Sequence, residues 1–396
     1  MCLGNHDSLT VAVRRLLAAD DFQSCGIPVR DVVSEMTRYL ALASALACLI
    51  SPVGAQQGDQ STFTVGSAVA RRGTLATGQI VVPAGSDSGM SISVAVIHGA
   101  RPGPVVAFIS GQHGTEYTTI IAMQRLIPRI DPAKLAGTVI IIPLVNTPSF
   151  VSMTPARNPT DNKSMLGVWP GDSNGTQSSR AVALINKQVI ERANVVLDFH
   201  GGDLDEDVGV PFTAAVRGGN AKQDSETVRL AVAYGITHIQ IIDRPLTSPG
   251  VGRRVDGQAL LHGAASILVG VGRVGTVTDA DVKLAIDGSL NVLGALKMID
   301  RPATPAYTPV WLDAAAPRIS AQGPGAFFAT VAPGKMVQKG DVLGYTTDFL
   351  GNKTGDITSP IDGLVVYVHG VPSMRRGVSL AEVLPVLSGV PVWKVP

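Results

Sequence analysis

Between residues 79 and 200 the chain switches repeatedly between two periodicities, and few folds satisfy both. "QIVVP", "SISVAVI", "PVVAFIS", "GTVIIIPLV" and "NVVLDF" are short, β-branched-rich runs bounded by Gly, Pro or Asn, the pattern of strands. "TTIIAMQRLIPRI" and "SRAVALINKQVIERA" lie among them and carry apolar residues at helical spacing. Strands separated by helices predict an α/β class: a mostly parallel or mixed sheet flanked by helices, apolar on both faces. Near residue 304 the helical period disappears. From "YTPVWLDAAAP" onward, turn signals such as "PGKMVQKGD", "FLGNKTGD" and "SPIDG" separate short strands. This predicts a small all-β, barrel-like domain over residues 307–396 and leaves 56–306 for the α/β domain.

The amino terminus has a different character. Met36-Thr37-Arg38-Tyr39 is followed by "LALASALACLI" and "SPVGAQQ": a basic start, an apolar core and small residues before a break, as in a secretory signal. Residues 1–35 then read as a mis-started leader, 36–55 as a signal peptide cleaved after Ala55, and the product as exported, periplasmic or secreted. The apolar stretch is shorter than the roughly 20 residues a bilayer needs, so no stable membrane anchor is expected. Cys2, Cys25 and Cys48 all precede the cut, and a thiol-free mature chain is compatible with export. Lys plus Arg total 32 against 31 Asp plus Glu, which gives no electrostatic bias towards nucleic acid and points to a small-molecule substrate. A homo-oligomer is compatible with this composition.

Candidate chemistry gathers at two strand ends. In "GQHGTEY" the run that ends at Ser110 is followed by His113 and Glu116, three apart and so able to share one helical face. "NVVLDFHGG" ends another strand with Asp198 and His200, which strand alternation turns one way while Phe199 faces the other. Open α/β sheets bind ligands at such carboxyl ends. Two imidazoles and one carboxylate suit catalytic zinc, which takes three protein ligands and leaves a fourth position for water. Asp198 is placed to orient a ligand from behind. His98, His238, His262 and His369 have no acid at ligand spacing and read as packing or surface residues.

From "GTLATGQIVVPAG" through "VAVIHGARPGPVVAFISGQHGTEY" and "RLIPRIDPAKLAGTVIIIPLVNTPSF" to "VVLDFHGGD", the chain resembles the succinylglutamate desuccinylase/aspartoacylase family, a branch of the zinc carboxypeptidase-like hydrolases. The likeness continues through "TDADVKLAIDGSLNVLGALKMI" into the β domain. The resemblance implies that His113, Glu116 and His200 hold one Zn2+ per chain. It also implies an amidohydrolase that cleaves an amide or ester bond in a small N-acyl amino acid-like substrate, with zinc polarising the carbonyl and a glutamate carrying the proton.

Two departures qualify that expectation. "SILVGVGRVG" puts Gly270 where the family has its general-base glutamate, and "SMLGVWPGD" puts Leu166 and Gly167 where it has an Asn-Arg pair. Arg157 matches an upstream arginine of the family and is a candidate to hold a substrate carboxylate. "GGDLDED" offers Asp203, Asp205, Glu206 and Asp207. Glu206 is the first candidate for a substitute base, because it precedes the apolar "VGVPF" and desolvation there would raise its pKa. An activated ester or lactone substrate and a catalytically silent zinc-dependent binding homologue are the alternatives. In the C-terminal region, "APGKMVQKGDVLGYTTD" and "ITSPIDGLVVYVHGVPSMRRGVSLAEV" resemble biotinyl or lipoyl half-barrels, without a modifiable lysine at "SPIDG".

Overall fold

The β-branched runs become strands of one ten-stranded mixed sheet. The computed structural model describes residues 61–390, so the expected leader, the signal peptide and all three cysteines lie outside the described residues. In chain order the first twelve strands are β1 (Thr62–Val65), β2 (Ala68–Arg71), β3 (Thr74–Val82), β4 (Met90–His98), β5 (Arg101–Ser110), β6 (Ala136–Ile142), β7 (Val195–His200), β8 (Glu206–Asp207), β9 (Phe212–Arg217), β10 (His238–Asp243), β11 (Ala265–Gly270) and β12 (Val310–Asp313). Among the described residues six α-helices accompany them: α1 (Tyr117–Leu126), α2 (Thr147–Ser152), α3 (Gln177–Gln188), α4 (Ala221–Tyr234), α5 (Val255–Leu261) and α6 (Asp279–Ala295). The sheet order is Val386–Leu387, β12, β10, β9, β11, β7, β5, β6, β4, β3. Its centre, β11-β7-β5-β6, is parallel, whereas β9 runs antiparallel to β11 and β4 antiparallel to β6.

Burial on both faces explains why the central strands are apolar almost without alternation. Along β5 and β7, Val106, Phe108, Leu197 and Phe199 pack on one side against Met123 and Leu126 of α1, Tyr234 of α4 and Leu293 of α6. Val105, Ala107, Ile109 and Val196 pack on the other against Val182 and Ile185 of α3, Val255 of α5 and the β1–β2 hairpin. Phe108 and Phe199 meet edge to face at 5.9 Å, a geometry worth about 0.5–1.5 kcal/mol beyond burial. Phe199 therefore anchors β7 to the core and leaves Asp198 and His200 for the opposite side.

The chain beyond Tyr307 is all β, but its first strand is not separate from the large sheet. β12 pairs in parallel with β10, and Val386–Leu387 pairs with β12. The eight strands between form two antiparallel sets of four, one of which β8 completes as a five-stranded sheet. β8 joins the five-stranded one, with Glu206 opposite His369 and Asp207 opposite Val368. Through β8 the C-terminal region is tied to the loop that follows His200. Among the described residues no helix is long and apolar enough to cross a membrane.

Candidate metal centre

Each candidate ligand is placed by the end of a central strand. β5 stops at Ser110, and the chain turns at Gly111, whose φ of +70° favours glycine. A Cβ there would also lie 2.8 Å from the Leu144 side chain. The turn carries His113 inward and sets Glu116 at the N-cap of α1. The Glu116 side chain makes no capping bond and is free to face the histidines. His113 Nδ1 lies 2.9 Å from Glu116 Oε1, and His200 Nδ1 lies 3.1 Å from Glu116 Oε2. One ligand atom from each of the three residues falls within 4.8 Å of the others. Behind them, His200 Nε2 is 3.3 Å from Asp198 Oδ2.

The electrostatics follow from this geometry. Burial alone pushes the Glu116 carboxyl up, but the charges and hydrogen bonds of His200 and His113 outweigh it and hold the group at about 2. Burial pushes His113 and His200 down, yet both are raised overall by Glu116, and His200 by Asp198 as well. A buried carboxylate gripped by two nitrogens satisfies the donor requirements of a divalent transition metal, and this mix of imidazole and carboxylate suits zinc. The same set gives three protein ligands, the number found in sites that keep a position open.

The acidic run after His200 divides by role. Asp203 accepts hydrogen bonds from the Thr115 hydroxyl and from the Ala156 amide at 2.8 Å, so it staples two loops together. Asp207 pairs with Arg273 at 2.7 Å. The Glu206 carboxyl has no hydrogen-bond or ion-pair partner among the described residues, although its backbone amide donates to the Asp203 carbonyl at 3.0 Å. Burial, reinforced by the charge of Glu116, raises its carboxyl to about 7. Arg157 lies on an exposed loop and donates to the Asn162 carbonyl at 2.7 Å. Gly167 has open space where a side chain would project, and its carbonyl accepts from Arg253 Nε at 3.0 Å.

Gly270 sits beside His200 in β7 and opposite Phe212 in β9. A Cβ on Gly270 would lie 2.2 Å from Phe212 Cε1 and 2.5 Å from Cζ, so the phenyl ring fills the space that a side chain at 270 would need. Gly270→Ala should therefore cost about 1–3 kcal/mol by overpacking. The cost should shrink when Phe212→Ala is added, a coupling that urea unfolding of the double-mutant cycle would reveal.

Three features escaped the sequence reading. Phe212 covers Gly270, Gln112 bonds to Asp198, and Trp169 bonds to Gln112. The segment Gly171-Asp172-Ser173-Asn174-Gly175 has the spacing Gly-x-Ser-x-Gly. It forms an exposed turn held by Asp172, which accepts from the Asn174 amide at 2.9 Å, and not the strand-to-helix elbow that nucleophilic serines occupy.

Residues 102–296 match the succinylglutamate desuccinylase/aspartoacylase catalytic domain. The chain is 24% identical over 305 residues to an N-alpha-acetyl-L-2,4-diaminobutyric acid deacetylase of Halomonas elongata, covering 73% of this chain and 84% of that protein. Its fold is similar to that of the ectoine utilization protein EutE from Ruegeria pomeroyi, with a TM-score of 0.71 and 21% identity over 78% of this chain and 95% of that one. It is also similar to a succinylglutamate desuccinylase/aspartoacylase from Rhodobacter sphaeroides, with a TM-score of 0.70 and 23% identity over 80% and 96%. The matched domain, with the mixed sheet and flanking helices described above, places residues 102–296 in the succinylglutamate desuccinylase/aspartoacylase family.

Proposed function

We propose that the chain is a zinc-dependent hydrolase that removes the acyl group from a small N-acyl amino acid. The observation that carries this reading is the convergence of His113 Nδ1 and His200 Nδ1 on the Glu116 carboxylate at 2.9 and 3.1 Å. The named deacetylase relative supports N-acylated amino and diamino acids as the substrate class. When bound, zinc supplies Lewis acidity that polarises a carbonyl oxygen and acidifies water.

The other roles fall to the protein. Asp198 holds His200 from behind. Glu206, raised to about 7 and unpaired, is the candidate to accept a proton from water and return it to the leaving nitrogen, since a proton carrier works best with a pKa near the operating pH. Arg157, with one edge of its guanidinium bonded to the Asn162 carbonyl, remains the candidate to bind the substrate carboxylate. The phenyl ring of Phe212 over Gly270 supports a second reading, a binding protein without turnover, because it fills the place of the family's glutamate. Export of the protein rests on the signal-like sequence at 36–55 alone.

Mass-spectrometric assay of a panel of N-acyl amino acids, N-acetylated diamino acids, esters and lactones separates the readings. Chelator-sensitive cleavage supports the hydrolase, and tight zinc retention without cleavage of any compound supports the binding protein. Zinc binding should also release protons at pH 7, because His200 is raised well above its ordinary value by Glu116 and Asp198 and must give up its Nδ1 proton to bind metal. Calorimetry in two buffers of different ionisation enthalpy would measure that release, and the affinity should weaken as the pH falls.

A further inference from the structure

Behind the metal ligands runs a chain of hydrogen bonds in which every member is buried. Trp169 Nε1 donates to Gln112 Oε1 at 3.0 Å. Gln112 Nε2 donates to Asp198 Oδ1 at 2.7 Å. Asp198 Oδ2 lies 3.3 Å from His200 Nε2, and His200 Nδ1 faces Glu116. The Gln112 backbone is fixed separately, its carbonyl accepting from Asn146 Nδ2 at 3.1 Å.

The direction of this chain is set at its far end. An indole N–H can only donate, so the Gln112 side chain must turn its oxygen to Trp169. Its amide nitrogen must then face Asp198, which accepts as a carboxylate. The second carboxylate oxygen is left to accept from His200 Nε2–H. A neutral imidazole protonated at Nε2 has its lone pair on Nδ1, the atom turned towards Glu116. From this polarity we infer that Trp169 and Gln112 are positioning residues for the metal centre, fixing His200 in the tautomer that presents Nδ1. Without the indole donor, the Gln112 amide is free to flip and to set its oxygen against Asp198.

This inference rests on the metal reading proposed above, and its test separates the two. Trp169→Phe keeps an aromatic ring and removes the donor. Zinc affinity would be measured by chelator competition for the wild type, Trp169→Phe, Gln112→Met and the double variant, with thermal melting of the metal-free proteins as the folding control. Partners behind a ligand typically contribute 10–100-fold in metal affinity. Trp169→Phe is expected to lose about 10-fold and Gln112→Met at least as much, and the double variant no more than the larger single loss, because both break one chain. Nitrogen-15 NMR of the zinc-loaded wild type should show His200 protonated at Nε2. That measurement and Gln112→Met decide the matter if Trp169→Phe does not fold.

Zinc affinity within twofold of wild type in a folded Trp169→Phe or Gln112→Met variant, or a His200 metallated at Nε2, would overturn this inference alone. A wild-type chain that binds no zinc would overturn the metal reading and take this inference with it.

Discussion

Glu116→Gln should strip the protein of zinc and of hydrolytic activity together. The substitution keeps the shape of the side chain and removes the only negative charge between two imidazoles whose rings lie 5.3 Å apart. The about-2 value of the Glu116 carboxyl shows how firmly the site holds an anion despite full burial. An amide also brings a donor where both nitrogens need an acceptor or a metal. Loss of a partner merely behind a ligand costs about 10–100-fold in affinity, so loss of a ligand should cost at least about 100-fold. Metal analysis after dialysis would read this directly. A Glu116→Gln variant that kept one zinc per chain would show that the ligand set is wrong.

Glu206→Gln should slow turnover, flatten its pH profile and stabilise the fold at high pH. General acid-base help is typically worth about 10²–10⁴-fold, and that is the loss expected in kcat. In the wild type the rate should rise with pH as Glu206 ionises, with a midpoint at about 7, or lower once the charge of a bound metal assists ionisation; the variant should lack that limb. The stability effect has the opposite direction. Burial raises this carboxyl from 4.5 to about 7, so its favourable contribution to folding is fully present below about 4.5 and is lost as the pH rises through about 7. Above that pH the buried, ionised Glu206 destabilises the fold, and the glutamine variant should melt at a higher temperature. A variant that lost activity without this pH-dependent gain in melting temperature would point to a folding defect and not to a missing proton carrier.

How much of this was legible in the sequence depended on the distance between interacting residues. The central strands declared themselves because β5, β6 and β7 are buried on both faces, which demands continuous apolar runs. His113 and Glu116 lie within one turn of chain, and Asp198 and His200 are coupled by the two-residue period of a strand. Local geometry therefore brings each pair together before any tertiary contact is known. Phe212 over Gly270 was not legible, because it depends on β9 entering the sheet antiparallel beside β11, and no local pattern specifies that register.

The bond from Trp169 to Gln112 spans 57 residues, and a tryptophan beside a proline has no spacing rule that names its partner. β8 was hidden for another reason. A two-residue strand has no period of its own, and it exists because the strand Gly363–His369 pairs with it. The acidic run "GGDLDED" offers four carboxylates, and only Glu206 carries a local signal, the apolar stretch that follows it. It resolves into a staple at Asp203, an ion pair at Asp207 and an unpaired, desolvated Glu206 only when both flanking regions are in place.

Zinc-dependent hydrolysis is tested most directly by release of the free amino acid from N-acyl substrates by the full chain, measured by mass spectrometry alongside metal content. One zinc per chain is expected, with cleavage of at least one N-acylated amino or diamino acid, loss of that cleavage with chelator and its return with zinc. Cleavage that persisted with the metal removed, or a chain that retained no zinc and cleaved nothing, would contradict it.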